Sequence, residues 1–337
     1  MVFNRPFAQT ICIERSKVKI PFFNRAVSSR QVSRKHLGLL LGLVGVTVFG
    51  ATLPVTRIAV VLFDPWFITF GRALLGGFVA LLVLASLGLK FPRTHKWPIM
   101  AACALVVFGF PGFMALAMVT VPAVRGGLVL GILPLMTAFF ATLIGNERPS
   151  LPFWFWSVLG AGLVTLFVLG NDAGAGQGAQ PGLMPGDLWL LLAAICASLG
   201  YVILAGISRF MPGWQAISWA IAAGLPVSLA GSAIFWRPQY LQASGQQVLA
   251  FAYLGIFSAY VGFFAWNAGL KLGGMARVGQ VQLLQTFITF AFAMLLLGES
   301  VDIRTLVFAL LVFVVVLMGQ RARVDKVFPA PSDSNRH

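Results

Sequence analysis

Long runs of apolar residues dominate the chain, and short polar segments separate them. A helix needs about 20 mainly apolar residues to cross roughly 30 Å of hydrocarbon. The pattern therefore predicts ten membrane-spanning helices, and only the second has a charged residue, Arg72, well inside it. The predicted spans are Leu37–Thr56, Pro65–Gly88, Trp97–Val119, Ala123–Gly145, Phe153–Gly170, Leu188–Ser208, Trp214–Trp236, Val248–Leu270, Val278–Leu297 and Thr305–Gln320.

Composition indicates the same fold class, an all-α integral membrane protein. Of the 337 residues, 59% are hydrophobic and 10% are charged, whereas a soluble domain carries about 25% charged residues. A bilayer removes the need for a charged surface, because lipid-facing side chains are apolar. The three cysteines and three histidines show no metal-ligand spacing, and we expect neither a metal nor a cofactor.

The net charge of +15 comes from basic residues whose placement follows membrane topology. With the N-terminus inside, 19 of the 24 Lys and Arg fall in inside segments, as the positive-inside rule requires. Both termini are therefore expected in the cytoplasm, at a bacterial inner membrane. Residues 1–36 are expected to form a basic tail that contacts membrane lipid, with an organelle transit peptide as the alternative. This distribution does not favour nucleic-acid binding.

A shift of 152 positions superimposes polar and glycine markers of the two halves. Such agreement at one offset indicates a duplication, and units of five spans must enter the membrane in opposite senses. We therefore predict an inverted repeat, with five-helix units at 37–170 and 188–320, a linker at 171–187 and a cytoplasmic tail at 321–337. The superimposed pairs are Arg57 with Arg209, Arg125 with Arg277, Gly127 with Gly279, Thr137 with Thr289, and Glu147 with Glu299.

Both halves also carry short motifs in a regular order. The first has Phe70-Gly71-Arg72, Leu133-Pro134-Leu135 and Gly145-Asn146-Glu147, and the second has Gly186-Asp187-Leu188, Ser208-Arg209, Ala265-Trp266-Asn267-Ala268-Gly269-Leu270-Lys271 and Leu297-Gly298-Glu299. Over residues 37–320 the chain resembles the drug/metabolite transporter superfamily and, within it, the EamA family of ten-span metabolite exporters.

The resemblance implies a ten-helix transporter with a central cavity that works by alternating access. Members of the family are similar in fold yet move amino acids, their derivatives and other small metabolites. Two positions depart from the family pattern: Thr286 stands where a proline is usual, and Arg125 stands where small residues are usual.

The ninth span is the richest in polar residues. Its Gln282, Gln285, Thr286 and Thr289 follow the i, i+3, i+4, i+7 spacing of one helical face. The equivalent face of the fourth span is mostly apolar, with Leu130, Leu133, Pro134 and Thr137. We expect these faces to line a substrate-binding cavity; hydrogen bonds between helices are the alternative.

Arg72, Tyr201, Tyr260, Trp266 and Asn267 are further candidates for substrate binding. The Arg72 guanidinium could hold a substrate carboxylate, or it could snorkel to the outer surface or pair with a carbonyl. An indole or phenol can line a solute cavity and donate a hydrogen bond, although Trp and Tyr also anchor helices at the membrane interface.

Charged span ends and prolines are candidates for gating or structural roles. Glu147 and Glu299 end equivalent spans, either as gates or as helix ends that pair with Arg148 or Arg304. Pro54, Pro111 and Pro134 interrupt their spans, and such breaks free backbone groups that only protein or a water-filled cavity can satisfy.

These observations predict a secondary transporter that exports an amino acid or a related small metabolite. An enzyme is not expected, because the spans carry no cluster of His, Asp, Glu or Ser–Lys groups at membrane depth. A non-transporting receptor or assembly protein is the alternative, and the inverted duplication argues against it. The expected partner is a small-molecule substrate, and the sequence leaves both a monomer and a homodimer open.

Overall fold

The computed structural model describes residues 21–145, 147–169, 184–273, 278–279, 281–321 and 324–326. This part of the chain is almost entirely helical and rich in apolar helices, which confirms the all-α membrane fold class. Two short antiparallel strands, β1 (Glu147–Pro149) and β2 (Val324–Lys326), pair so that Glu147 lies opposite Lys326.

We number the apolar helical segments α1 to α10 in chain order. Helix extends beyond these segments to Pro21 before α1, to Gly145 after α4 and to Arg321 after α10, and a 3-10 helix at Pro238–Gln242 precedes α8. The segments are α1 (His36–Ala59), α2 (Pro65–Ser86), α3 (Arg93–Thr120), α4 (Ala123–Ile144), α5 (Leu151–Leu169), α6 (Pro185–Ile207), α7 (Gly213–Ala223 with Leu225–Ile234), α8 (Gly245–Gly273), α9 (Gln282–Leu297) and α10 (Ile303–Gly319).

Each predicted span overlaps one of these segments, although three of the segments differ from a simple membrane helix. Seven segments, α1 to α6 and α8, are long and apolar enough to cross a bilayer alone, whereas α9 and α10 are shorter. The two parts of α7 are bent by 45° at Gly224, because Pro226 lacks a backbone donor and interrupts the helix. The seventh span is therefore a broken helix.

Departures from α-helical geometry recur at equivalent places in the two halves. Cys103–Gly109 in α3 and Tyr253–Val261 in α8 are π-helical, and a shift of 152 positions carries the first segment into the second. The same shift superimposes the 3-10 turns at Leu130–Ile132 in α4 and Gln282–Leu284 in α9. The local backbone geometry thus follows the repeat found in the sequence.

The two halves pack together through exchanged pairs of helices. In the described chain, α1 lies along α8 of the second half, and α6 lies along α3 of the first half. α4 contacts α6, and the equivalent helices under the shift of 152 positions, α9 and α1, contact each other as well. In addition, α2 packs on α7 and α5 packs on α10. Each half therefore completes its packing with helices of the other.

Glycines bring the backbones of α1 and α8 together. Gly38 and Gly42 of α1 face Gly269 and Gly273 of α8. A Cβ atom at Gly269 would lie 2.6 Å from the Gly42 nitrogen and 2.9 Å from the Gly38 oxygen. Small residues allow such close approach within a membrane, where helix association depends on van der Waals contact.

A buried ion pair joins the halves where α4 and α6 begin. Arg125 donates from Nε to Asp187 Oδ1 at 2.9 Å and from Nη2 to Oδ2 at 2.6 Å. Its Nη2 also donates to the Val168 carbonyl near the end of α5 at 3.1 Å, and Asp187 accepts the Met184 N–H at 2.8 Å. The unusual charge at the start of α4 is thus neutralised by the second half of the chain.

Substitution of Gly269 by alanine should lower the thermal stability of the purified protein. The added methyl group meets backbone atoms of α1, and overpacking of this kind costs about 1–3 kcal/mol. The matched control is Gly162→Ala in α5, where a Cβ atom meets nothing within 4 Å. Equal melting temperatures for the two variants in detergent would contradict the backbone contact between α1 and α8.

The single variant Asp187→Asn should be less stable than the double variant Arg125→Met/Asp187→Asn. The single change leaves a buried guanidinium without a carboxylate, which typically costs about 3–5 kcal/mol, whereas the double change removes both charges. Thermal unfolding of the four proteins of this double-mutant cycle measures the coupling. Effects that simply add would show that the two side chains do not interact.

Candidate functional site

A cavity of about 1140 Å³ lies between the two halves of the described chain, and all ten segments contribute to its wall. It extends from Thr52, Arg72 and Ser258, in the middle of their helices, to Ser208 and Lys271 at the ends of α6 and α8. Ligand pockets commonly measure about 300–1,000 Å³. The cavity is therefore large enough for a small metabolite and some water.

Most of the side chains predicted from the sequence lie on this wall. The cavity is bordered by Gln282, Gln285, Thr286, Thr289, Tyr201, Trp266, Asn267, Arg72, Pro111 and Pro134. Tyr260, Pro54 and Glu299 are not among its lining residues. Of Glu147 the structure describes only the backbone, in β1, and Arg277 and Gln280 lie outside the described residues.

Arg72 is buried at the inner part of the cavity rather than directed to the surface, so the snorkelling alternative is wrong. Its Nη2 donates to Ser258 Oγ at 3.0 Å, and Ser258 Oγ lies 2.8 Å from Thr52 Oγ1. The other terminal nitrogen, Nη1, is buried and has no hydrogen-bond partner among the described residues. Packing of α2 against α7 and α8 holds the guanidinium inside.

The polar face of α9 serves two purposes. Thr286 Oγ1 donates to the Gly127 carbonyl at 3.2 Å, and Thr289 Oγ1 donates to the Gly50 carbonyl at 2.8 Å. These two hydroxyls therefore form the helix–helix hydrogen bonds that were the alternative interpretation. Gln282 and Gln285 border the cavity. Their side-chain amides make no hydrogen bond to any described residue.

The equivalent face of α4 is apolar, as the sequence indicates. Leu130, Leu133, Pro134 and Thr137 all border the cavity. The Thr137 hydroxyl does not add polarity, because it donates to the Leu133 carbonyl at 2.8 Å within its own helix. The cavity wall thus has the polar groups of α9 beside an apolar surface of the neighbouring α4.

Pro54 acts at a distance from the cavity by interrupting α1. Proline has no N–H to donate to the carbonyl four residues earlier, which here belongs to Gly50. The Thr289 hydroxyl supplies the missing donor, so one side chain of α9 compensates for a break in α1. Pro111 is the second residue of the α-helical piece, Phe110–Thr120, that follows the π-helical part of α3.

Tyr260 does not reach the cavity wall. Its ring is buried between α7 and α8, and its hydroxyl lies 2.8 Å from Ser218 Oγ. Ser218 in turn donates to the Trp214 carbonyl at 2.6 Å. The phenol satisfies a polar group at the contact of two helices, which the spacing of aromatic residues along one span cannot reveal.

Among the lining residues that the sequence did not identify, three are polar or aromatic: Trp214, Thr52 and Ser258. Trp214 begins the seventh predicted span, where a Trp is commonly an interface anchor, yet it borders the cavity and its ring stacks on Phe264 at 5.7 Å. Thr52 and Ser258 are isolated hydroxyl residues within apolar runs, and that isolation is the signal that could have identified them. Ser258 accepts a hydrogen bond from Arg72, and Thr52 is hydrogen-bonded to Ser258.

The cavity is closed toward the end of the molecule that holds Glu299. Thr56 and Met118, one turn beyond the last lining residues of α1 and α3, are fully buried, as is Leu254 of α8. At the opposite end the cavity reaches exposed residues, among them Ser208 and Lys271. Access is therefore from one end only in the described structure.

At the closed end, Glu299 makes contacts that differ from those predicted from the sequence. Its carboxylate accepts the N–H groups of Ala123 and Val124, the first residues of α4, at 2.9 and 2.8 Å. It also lies 3.5 Å from Arg57 Nε, so the predicted pairing with Arg304 is wrong. A negative charge is favourable at a helix N-terminus.

Two neighbouring features position these groups. Gly298 ends α9 in the left-handed conformation, with φ of 66°, which glycine adopts without the cost that a side chain imposes. Arg57 donates from Nη1 to the carbonyls of Met118 and Val121 at 2.9 and 2.7 Å. Glu299, Arg57 and the start of α4 together link α1, α3, α4 and α9, and we call this cluster the outer lock because the predicted topology would place it outside.

Comparisons with known proteins agree with this architecture. The model of the EamA-like transporter family matches residues 36–169 and again residues 184–318. The uncharacterized transporter YdeK of Bacillus subtilis is 39% identical over 266 residues, which span 78% of this chain and 90% of the relative. The aromatic amino acid exporter YddG of Ancylobacter novellus is 28% identical over 222 residues, which span 64% of this chain and 73% of the relative.

A solved crystal structure supports the fold. It aligns with a TM-score of 0.55 and 22% sequence identity, and the alignment covers 84% of this chain and 98% of that chain. The double family match extends over nearly all the residues that form the cavity, one match on each side of the segment between α5 and α6. The chain belongs to the EamA-like transporter family.

Proposed function

We propose that this protein is a secondary transporter that exports an amino acid or a related small metabolite by alternating access. The observation that carries the proposal is the cavity between the halves, which is open at one end and closed at the other. Carriers with internally repeated folds bind their solute near the midplane, between the repeats. The wall residues Arg72 and Gln285 belong to different halves, as such a site requires.

The sidedness of the cavity determines the side from which a solute can reach it in this conformation. Under the predicted topology, with both termini in the cytoplasm, the ends of α6 and α8 face the cytoplasm. The cavity would then be open inward, and a solute would enter it from the cytoplasm before release outside. The relative YddG is named as an exporter of aromatic amino acids.

Alternating access requires the outer lock to open. Glu299 and the first turn of α4 lie in different halves, so a relative movement of the halves would separate the carboxylate from the N–H groups it accepts. The separated groups would then be exposed to water, which can hydrogen-bond both. The cost of opening is therefore modest compared with opening an apolar contact of the same size.

Replacement of Gln285 by alanine should reduce solute exchange several-fold without lowering expression. The amide borders the cavity and makes no hydrogen bond within the described protein, so its loss affects the solute rather than the fold. The measurement is counterflow into proteoliposomes with amino acids, nucleosides and amines, with and without a pH gradient. Gln246→Ala, at an exposed position near the start of α8, is the control.

An exchange rate unchanged by Gln285→Ala would contradict the assignment of this residue to the binding site. Absence of exchange for every compound of the panel, in protein that remains folded, would contradict the transporter function itself.

Glu299→Gln should favour the outward-open state. The amide keeps an acceptor for the α4 N–H groups but loses the charge that the helix terminus and Arg57 attract. Accessibility can be measured with Met114→Cys, in the cavity wall, in a background with the native cysteines replaced, using an impermeant thiol reagent added from outside. We expect labelling to rise several-fold in Glu299→Gln and to stay unchanged in the exposed control Ser300→Ala; equal labelling would refute the lock.

A further inference from the structure

Positive charge prevails in the cavity wall. Arg72 lies at its inner part and Lys271 at its open end, and no Asp or Glu is among the described residues that line it. A solute that enters from the open end therefore meets two cations and no fixed anion in this part of the chain. Such a field favours a negatively charged solute.

The Arg72 guanidinium is a buried cation without a carboxylate partner among the described residues. Its Nη2 is satisfied by the Ser258 hydroxyl at 3.0 Å, whereas Nη1 is buried without a partner in the described protein. Ser258 Oγ is held in turn by Thr52 Oγ1 at 2.8 Å, so the donor geometry is fixed before a solute arrives. A carboxylate that accepts from Nη1 would complete the pair, and guanidinium is well suited to that task.

The wall offers little to a protonated amine. The carbonyl of Gly50, which Pro54 leaves without its helical donor, and the carbonyl of Gly127 could otherwise bind an ammonium group. Thr289 and Thr286 already donate to these two carbonyls. Along this face the neutral amide oxygens of residues such as Gln285 are the acceptors left, and a buried ammonium group is costly without a carboxylate beside it.

The remainder of the wall matches an apolar body. Large apolar side chains border the cavity on several helices, including Phe49, Phe110, Met114, Trp214 and Phe263. Aromatic rings contribute large apolar contact areas. A solute with one anionic end and one hydrophobic end would therefore satisfy both parts of the cavity at once.

We infer that the transported solute is an amphipathic organic monoanion: one carboxylate on an apolar or aromatic body, with its amine absent or acylated. The inference rests on the proposed function, because it names the class of solute that would be carried. The carboxylate pairs with Arg72, and the one buried cation among the described residues of the cavity wall matches a single negative charge. Lys271 at the open end attracts the anion without fixing it.

Three compounds with the same ring distinguish the charge types. At about pH 6, below the α-amino pKa of about 7.7–8.0, N-acetyl-L-phenylalanine is an anion, L-phenylalanine is a zwitterion and L-phenylalaninamide is mainly a cation. The full-length protein in proteoliposomes should exchange the first at least tenfold faster than the second, and the third not at all, after subtraction of protein-free liposomes. In detergent, the anion should also raise the melting temperature more than the other two compounds do.

Variants of Arg72 assign the effect to its guanidinium. Arg72→Gln should remove both the exchange of N-acetyl-L-phenylalanine and the thermal shift, while Arg72→Lys should keep part of each because it keeps the charge. The exposed Arg304→Gln should change neither. The melting temperature without ligand reports whether each variant is folded. If Arg72→Gln does not fold, the exchange and thermal shift measured with Arg72→Lys test the role of the guanidinium.

Two results would overturn the inference and leave the proposed function intact. One is faster exchange of L-phenylalanine than of its N-acetyl derivative, and the other is a thermal shift by the anion that Arg72→Gln retains. A thermal shift that depends on Arg72 without exchange of any compound would have the opposite meaning: the anion site would stand, and the transporter function would fail.

Discussion

Backbone hydrogen bonds that a broken helix cannot make for itself are the constraint on which this structure depends. In hydrocarbon each unpaired backbone group costs several kcal/mol, so a cavity walled by interrupted helices must receive the missing donors from its own side chains. Thr289 does this for the Gly50 carbonyl, which Pro54 leaves without a helical donor, and Thr286 also donates to a backbone carbonyl, that of Gly127. The π-helical segments of α3 and α8 accommodate other interruptions within the helix itself. Much of the polarity along the cavity is thereby used for the fold, and only a few groups are left for a solute.

The two buried arginines illustrate how charge is divided between structure and function. Arg125 has a carboxylate partner in bidentate geometry, and a carbonyl besides. Arg72 has a hydroxyl on one nitrogen and nothing described on the other. Both sit in a setting where an uncompensated charge is costly. Arg125 therefore links the two halves through a complete ion pair. Arg72 lacks a hydrogen-bond acceptor and a counter-charge, and a bound anion can supply both.

The sequence predicted where the membrane helices lie, but it did not predict which side chains contact each other between helices. Apolar runs are a local property, so helices were found at every predicted position, and the polar face of α9 followed from spacing alone. The partners of Arg72, Tyr260 and Glu299 could not be predicted, because Ser258, Ser218 and Arg57 are distant in the chain. A helix that is apolar on all sides gives no periodic signal for its rotation, which is why Tyr260 was expected at the cavity and Trp214 was not. The bend of α7 had a visible cause in Pro226, but its size depends on packing.

The exchanged packing of helices has a consequence for the origin of the fold. In a single five-helix unit, the glycine surface of α1 would lack its partner α8. The surface of α3 that packs on α6 would lack a partner as well. Such a unit could be stable in a membrane only as a dimer with a second copy inserted upside down. The two-fold recurrence of π and 3-10 segments is what a gene fusion of that antiparallel dimer would leave behind. Separate expression of residues 36–169 and 184–318 should then restore function only when both pieces are present in one membrane.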